Sequence, residues 1–350
     1  MKLDDLLKVA ADFPLPEIKK IYVDDDIFYL EQSPQLLSLL NPDQIFWKYN
    51  SIIIGPDGTQ IETIGKENTS KYFYLSPINE LQIGWDLKVN TNELVKLIYD
   101  ILPCKEGESY FNPSFWNRED IFDGKKIFME SGEINEKLRE KEHTLSFYEN
   151  NLTLDTGYIN PFYVYLNPFI INQSKELHGK SEFFSVSLKE TFNIVGENKL
   201  KLINDKGLLK VETLGRIVVV KSKTWKEAKP YEVTWNLKNK VLKIDCKLPF
   251  PISLYKAYPS GIIPFFIKYD NNQLILGLVN LNDFPAIANL LLSARIEDAY
   301  ILSPQGKEIE KLNPEFDRIK IPMRKFGIIY VKLKIKRLLE SFLKRKIISS

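Results

Sequence analysis

Short apolar segments that alternate with polar residues fill the second half of the chain and constrain its fold more than any other feature. From about residue 145 onward, segments rich in Val, Ile, Tyr and Phe recur between Gly, Asn, Asp and Pro turns. Examples are LSFYENNLTLDTG, PFYVYLNPF, GRIVVVKS, YEVTWNL, KVLKIDCKL, QLILGLVNL and GIIYVKLKI. Many short strands at this spacing are typical of an antiparallel β-sandwich and not of βαβ units. Since no helix-period segment of useful length interrupts residues 180–334, we expect strands throughout that range.

The first part of the chain mixes helical and strand patterns. Residues 92–102 have apolar side chains at helical spacing, and Thr91 is the expected N-cap. Residues 51–65 predict a β-hairpin around a Gly-Pro-Asp-Gly turn. The charged run at 133–143 predicts a solvated helix or linker. Further strands are expected at 21–32, 71–77 and 81–89.

These patterns predict a mainly β protein with two domains. We expect a smaller α+β N-terminal domain over residues 1–145 and a C-terminal antiparallel β-sandwich over residues 146–335. Residues 336–350 predict a basic amphipathic helix with Leu and Phe on one face and Lys and Arg on the other. Such a helix could contact an anionic membrane surface or a phosphate backbone, or it could dock on its own domain.

The charge balance gives no general attraction to nucleic acid, since 48 basic residues face 46 acidic ones. We therefore expect no nucleic-acid partner. No stretch approaches the length of an apolar transmembrane segment. The N-terminal residues MKLDDLLKVAADFPLP lack the basic and then apolar pattern of a signal peptide, so we expect a cytoplasmic location.

Cysteine and histidine are too few for the usual metal sites. Cys104 and Cys246 are far apart and form no CxxC pair, and we expect both to be reduced thiols in the core. His143 and His178 belong to no HxH or HExxH motif. The chain also lacks the GxxxxGK[ST], GxGxxG and GxSxG motifs, so we expect no metal and no cofactor.

Two aromatic stretches, YFNPSFW and YINPFYVYLNPF, each place large rings beside an Asn-Pro turn. Exposed rings could stack on the apolar face of a sugar, while Asn amides bond to its hydroxyls. The candidate carbohydrate-binding residues are Tyr110, Trp116, Tyr158, Tyr163 and Tyr165. The alternative is that these rings pack between the two domains.

Two groups of carboxylates are candidates for acid and base chemistry. Asp24, Asp25 and Asp26 are consecutive at an expected turn, and Glu130 and Glu133 lie three residues apart. A glycosidase needs two carboxyl groups that face one sugar. Consecutive acids are also what a solvated turn contains, so both interpretations stay open.

A family resemblance extends over residues 190–335. The sequence segments that carry it are Val279-Asn-Leu-Asn-Asp283 with Pro285, Leu290-Leu-Leu292, Ala299-Tyr-Ile-Leu302 with Gly306, and Ile319-Lys-Ile-Pro322 before Ile328-Ile-Tyr-Val331. In these segments the chain resembles the C-terminal β-sandwich region of family 38 glycoside hydrolases, the α-mannosidases. Catalysis in that family uses a zinc ion held by His and Asp, and an aspartate nucleophile, in a large N-terminal α/β domain. Residues 1–150 are too short for that domain, so no catalytic residue can be transferred.

The resemblance implies a carbohydrate-related protein that is non-catalytic alone or is one subunit of a split glycoside hydrolase. Its expected partners are a glycan ligand and a catalytic subunit. One alternative is a structural or interaction protein that uses its basic C-terminal helix. Another is a metal-independent glycoside hydrolase, so whether the chain is an enzyme stays open at this point.

Overall fold

The computed structural model has the mainly β, antiparallel fold that the sequence predicts. It describes residues 20–24, 27–31, 51–54, 61–64, 73–75, 81–83, 88–141, 145–155, 162–167, 170–174, 180–187, 190–205, 208–282, 284–302, 308–323 and 328–338.

The elements of the first part of the chain are β1 (Lys20–Asp24), β2 (Ile27–Glu31), β3 (Ser51–Ile54), β4 (Ile61–Ile64), β5 (Phe73–Leu75), β6 (Leu81–Ile83), α1 (Thr91–Ile101), β7 (Lys105–Phe111), β8 (Arg118–Phe122), β9 (Lys125–Met129), β10 (Glu133–Asn135) and β11 (Arg139–Glu140). Those of the middle are β12 (Ser146–Asp155), β13 (Phe162–Asn167), β14 (Ile170–Ser174), β15 (Lys180–Ser187), β16 (Thr191–Asp205), β17 (Leu208–Ser222), α2 (Trp225–Ala228) and α3 (Pro230–Lys238). Those of the last part are β18 (Leu242–Lys247), β19 (Ile252–Ser253), β20 (Tyr255–Tyr258), β21 (Ile262–Asp270), β22 (Gln273–Asn280), β23 (Ala286–Leu292), β24 (Ala294–Leu302), β25 (Glu308–Leu312), β26 (Arg318–Met323) and β27 (Ile328–Arg337).

The chain divides into two compact units, and neither is continuous in sequence. Unit 1 comprises Met1–Asp86, Thr144–Lys238 and Ser303–Gly306. Unit 2 comprises Leu87–His143, Asn239–Leu302 and Lys307–Ser350. This division differs from the two contiguous domains that we expected, because β7 pairs with β18 and β10 pairs with β19 across a long stretch of sequence.

The short ranges that the structure describes before residue 84 form three two-stranded antiparallel sheets, and these confirm the expected strands there. They are formed by β1 with β2, β3 with β4, and β5 with β6. The Gly-Pro-Asp-Gly turn between β3 and β4 lies outside the described residues.

The main sheet of unit 1 has six antiparallel strands in the order β12-β17-β16-β15-β13-β14. One apolar cluster of this sheet is formed by Leu152, Phe184, Val186, Ile194, Leu200, Leu202, Leu209, Val211, Ile217 and Val219. Helix α3 packs against β15 and β16 and buries Trp235 completely.

Helix α3 corrects the expectation of strands throughout residues 180–334. The segment YEVTWNL was expected to be a strand, since its Tyr, Val, Thr and Trp residues favour strands. The structure buries Tyr231, Thr234 and Trp235, which have the spacing of one helix face. Pro230 at the first helical position suits a helix start.

The described residues of unit 2 form four antiparallel sheets. Their strand orders are β18-β7-β10-β19, β11-β9-β8, β20-β23-β26 and β21-β22-β27-β24-β25. Burial alternates along β23 and β26, as expected for a sandwich with one face inside. Helix α1 packs against β21 and β27 through buried Leu and Ile side chains.

Two local expectations in unit 2 were wrong. The N-cap of α1 is Asn90 and not Thr91, because the Asn90 side chain accepts a hydrogen bond from the Asn92 N–H at 3.2 Å. The charged run at 133–143 contains the short strands β10 and β11, since pairing with β7, β9 and β19 overrides its helix-forming composition.

The C-terminal helix was also expected to begin too early. Lys336 and Arg337 belong to β27, where they pair with Arg295 and Ala294 of β24. Residues 339–350 lie outside the described residues. None of the helices that the structure describes has the length and apolar composition of a membrane span.

The prediction of two reduced thiols was wrong, because Cys104 and Cys246 form a disulfide. Antiparallel pairing sets Lys247 of β18 opposite Lys105 of β7, and this register brings the neighbouring cysteines together. The two cysteines are 142 positions apart, so no local pattern could indicate the bond. The cytoplasmic location stays a prediction, and disulfides are rarer in that compartment.

Candidate functional site

A cavity of about 200 Å³ in unit 2 is the candidate site. It is lined by Ser109, Ile134, Asn135, Glu136, Lys137, Leu248, Pro249, Phe250 and Pro251. Pockets for drug-sized ligands measure roughly 300–1,000 Å³. The cavity therefore has the size for one small molecule or one unit of a larger chain.

The sheet β18-β7-β10-β19 brings these lining residues together from three stretches of sequence. Ser109 lies on β7, and residues 134–137 include the end of β10 and the turn that follows it. Residues 248–251 connect β18 to β19, and the two prolines restrict this connection to a few backbone conformations. Strand pairing and the proline-restricted connection 248–251 thus fix the positions of the cavity walls.

Gly132 allows the chain to enter β10 at this point. Its φ is +60°, which favours glycine, and a Cβ atom there would lie 2.5 Å from the Tyr255 carbonyl oxygen. The close approach is held by hydrogen bonds from the Leu254 N–H to the Gly132 carbonyl at 2.7 Å and from the Gly132 N–H to the Ser114 carbonyl at 3.0 Å. The position of β10, and hence of one wall, depends on this glycine.

Ser109 is the most unusual member of the lining. The residue is 1% exposed. Its hydroxyl accepts and donates no hydrogen bond within the part of the chain that the structure describes. A buried hydroxyl without a partner is unfavourable, and a bound water, an ion or a ligand group are among the ways to satisfy it. Ser109 is thus a lining residue whose polar atom has no partner in the described structure.

Asn135 combines a structural role with remaining hydrogen-bonding capacity. Its Nδ2 donates to Glu133 Oε1 at 3.0 Å, and its Oδ1 accepts from the Lys137 N–H at 3.2 Å. These two bonds fix the side-chain amide in one orientation. A carboxamide has two N–H donors and two acceptor lone pairs, so one of each remains for a ligand.

Glu133 and Arg139 form a charged support behind Asn135. Glu133 is 6% exposed and accepts from the Arg139 guanidinium at 2.5 Å and from the Glu130 N–H at 2.6 Å. Burial lowers the pKa of Arg139, but the carboxylates of Glu133 and Glu130 raise it by more, so the net shift is upward. Arg139 is therefore a permanent cation that holds Glu133 and, through it, Asn135.

The predicted carboxylate pair Glu130 and Glu133 is thus bridged by one arginine. Both carboxylate oxygens of Glu133 accept hydrogen bonds, so this side chain stabilises the local structure. Of the other predicted acids, Asp24 is the last residue of β1, whereas Asp25 and Asp26 lie outside the described residues. His143 and His178 lie outside them as well.

The cavity lining combines apolar and polar side chains. Phe250 is half-buried and offers an aromatic surface, while Ile134 and Leu248 are buried and apolar. A serine nucleophile needs a base at its hydroxyl. Within the described ranges no base bonds to the Ser109 hydroxyl.

Of the predicted sugar-binding residues, Tyr110 and Trp116 lie in unit 2. The Tyr110 ring packs edge to face on Phe122, with centroids 5.4 Å apart, and against a cluster that contains Ile127 and Met129. Trp116 is half-buried, and its carbonyl accepts from Asn112 Nδ2 at 3.2 Å. Neither residue lines the cavity.

The remaining predicted residues belong to the stretch assigned to unit 1. Tyr163 and Tyr165 are on β13, opposite Val186 and Phe184 of β15, and Tyr158 lies outside the described residues. A sugar-binding role for all five aromatic residues stays a prediction.

The cavity residues were missed from the sequence because they come from distant segments and have common types. The one local signal was Pro249-Phe250-Pro251, in which two prolines hold an aromatic residue in an extended connection. Nothing in the sequence distinguishes Ser109 from the other serines.

The described residues form a mainly β protein with several antiparallel sheets, as in a β-sandwich, and its cavity combines apolar and polar side chains. No family model matches the chain, and no curated protein matches it. Among solved structures, it is similar to an α-mannosidase from Enterococcus faecalis V583 with a TM-score of 0.42 and 12% identity. That match covers 81% of this chain and 38% of the mannosidase chain, which is a remote structural relation.

Proposed function

We propose that the protein is a carbohydrate-binding accessory protein that holds one sugar unit in the cavity of unit 2 and acts beside a separate catalytic chain. The observation that carries this proposal is the buried Ser109 hydroxyl, which has no hydrogen-bond partner in the described ranges and lines a cavity beside Phe250.

A sugar has the chemistry that this lining requires. One face of a pyranose ring carries C–H groups that pack on an aromatic ring, which Phe250 can provide. The hydroxyl groups both donate and accept, as Ser109 and the free capacity of Asn135 require. The resemblance of residues 190–335 to the C-terminal region of α-mannosidases supports the same ligand class.

A separate catalytic chain is proposed because the cavity offers a binding arrangement alone. Ser109 has no base within the residues that are described, and the nearby Glu133 is held by Arg139. A ligand bound here could be delivered to a reaction that another chain performs.

The test is titration of the full chain with methyl α-mannoside, methyl β-glucoside and methyl β-glucuronide, followed by saturation-transfer NMR and calorimetry. We expect at least one of the three to bind. Ser109→Ala and Phe250→Ala should each weaken that binding by about tenfold, the equivalent of 1–2 kcal/mol.

Tyr258→Ala is the matched control, since Tyr258 is an aromatic residue of the same unit that is 55% exposed and does not line the cavity. The Tyr258→Ala variant should bind the glycosides with the same affinity as the unmodified protein. The proposal fails if none of the three glycosides binds, or if Tyr258→Ala weakens binding as much as Phe250→Ala. Circular dichroism of each variant separates loss of binding from loss of folding.

A further inference from the structure

One positive charge in the cavity lining has no negative partner among the described residues, and this excess charge indicates the kind of sugar that fits. Glu136 and Lys137 line the cavity next to each other in sequence. The Glu136 carboxylate lies 3.0 Å from the Lys247 ammonium on β18, so that pair is neutral as a unit. Lys137 forms no ion pair with any residue whose position is described. The lining therefore has one uncompensated positive charge.

The neighbouring carboxylates are already matched with cations. Glu133 pairs with Arg139 at 2.5 Å, and Glu108 on β7 pairs with Lys243 at 2.8 Å. For each of these carboxylates, the paired cation is closer to it than the Lys137 ammonium is. An anionic group on the ligand would thus meet Lys137 without displacing an existing pair.

We infer that the cavity binds an acidic sugar, a uronic acid unit whose carboxylate pairs with Lys137. This inference rests on the proposed function, because the same cavity holds the sugar ring. The carboxylate of a uronate replaces the CH₂OH group of a neutral hexose, so the hydroxyls remain available to Ser109 and Asn135. The ring face remains available to Phe250.

The experiment compares methyl β-glucuronide with methyl β-glucoside, which has the same ring and no charge, by calorimetry on the full chain. We expect the glucuronide to bind at least about tenfold more tightly at low salt, because a hydrogen bond to a charged group is stronger than a neutral one. The ratio of the glucuronide affinity to the glucoside affinity should fall as the salt concentration is raised. Lys137 is exposed, so salt screens its interaction with the carboxylate.

Lys137→Met should bring the ratio of the glucuronide affinity to the glucoside affinity close to one, through loss of affinity for the glucuronide. Lys141→Met is the matched control, because Lys141 is an exposed lysine of the same unit that contacts the Phe128 ring and not the cavity. That variant should keep the full preference for the glucuronide.

Three results would overturn the inference, and they differ in what they mean for the proposed function. Equal affinity for the two glycosides rejects the acidic sugar and leaves the sugar site intact. Binding of sodium acetate as tight as that of the glucuronide shows a simple anion site, without recognition of a sugar. Failure of both glycosides, together with failure of methyl α-mannoside, rejects the acidic sugar and the proposed function at once.

Discussion

Cys104 and Cys246 form a disulfide with Cα atoms 4.7 Å apart, although 142 positions separate them in the sequence. The bond joins the residue before β7 to a residue of β18, and both strands border the cavity region of unit 2. It ties together two stretches of chain that would otherwise be held by strand pairing and packing alone.

Replacing both cysteines with alanine should lower the free energy of unfolding by about 2–5 kcal/mol, because the open chain gains conformational freedom when unfolded. Urea unfolding followed by circular dichroism measures this difference. Reductant should lower the stability of the natural protein by a similar amount and leave the double variant unaffected. Two alkylatable thiols in the denatured, unreduced protein would contradict the disulfide.

Ser109→Ala should raise the free energy of unfolding of the ligand-free protein by about 1–3 kcal/mol, since it removes a buried hydroxyl that has no partner in the described structure. Thermal and urea unfolding measure the change. Ser131→Ala is the matched control: that buried hydroxyl donates to the Phe115 carbonyl at 2.6 Å, so its loss should destabilise the protein. If both variants are destabilised alike, Ser109 has a partner in the folded protein.

Gly132→Ala should lower the free energy of unfolding by about 2–4 kcal/mol, because the positive φ and the close Tyr255 carbonyl both oppose a side chain. Gly124→Ala provides the comparison. Gly124 has a φ of +77°, but a Cβ atom there would meet no described atom within 4 Å, so its variant should show the backbone effect alone. Equal losses in the two variants would mean that β10 can shift away from Tyr255.

Glu93 should make the protein sensitive to acid. Burial raises the pKa of Glu93, but hydrogen bonds from Lys96 at 2.6 Å and from the Tyr269 N–H at 2.9 Å lower it by more, so the folded pKa lies below its ordinary 4.5. A depressed pKa means that this contribution is present in full above pH 4.5 and is lost as the pH falls through the folded value.

Glu93→Gln should therefore lower the free energy of unfolding by about 1–3 kcal/mol at pH 7. This difference in free energy between the variant and the unmodified protein should become smaller in acid. Urea unfolding at a series of pH values gives both results. Lys96→Met should have a smaller effect, because the Lys96 side chain is 62% exposed and the Tyr269 bond remains. A gap that is constant from pH 7 to pH 3 would rule out a lowered pKa.

Strand positions could be predicted where apolar and polar residues alternate. In KVLKIDCKL, one of the segments from which strands were predicted, burial alternates along β18: Ile244 and Cys246 are buried, and Lys243, Asp245 and Lys247 are exposed. Alternation is decisive here because a strand has only two faces. Helix α3 was missed because Val233 and Trp235 favour strands, and burial of Trp235 against β15 and β16 decides its conformation.

The cavity could not be predicted, because it depends on pairing between distant strands. Ser109 is an ordinary residue of β7 in the sequence, and it lines the cavity only together with β10 and the 248–251 connection. The disulfide depends on the same register between β7 and β18. Registers of this kind arise from the packing of whole sheets, and a single sequence does not contain them in any local window.

The interrupted course of the chain implies an order of events during translation. Strands β12–β17 are consecutive, so the six-stranded sheet of unit 1 can form as soon as α3 has been made. Strand β7 is made earlier, but β18 is made after that whole sheet. The edge of β7 that pairs with β18 therefore stays open while the intervening residues leave the ribosome, and an open strand edge of this kind can pair with another chain.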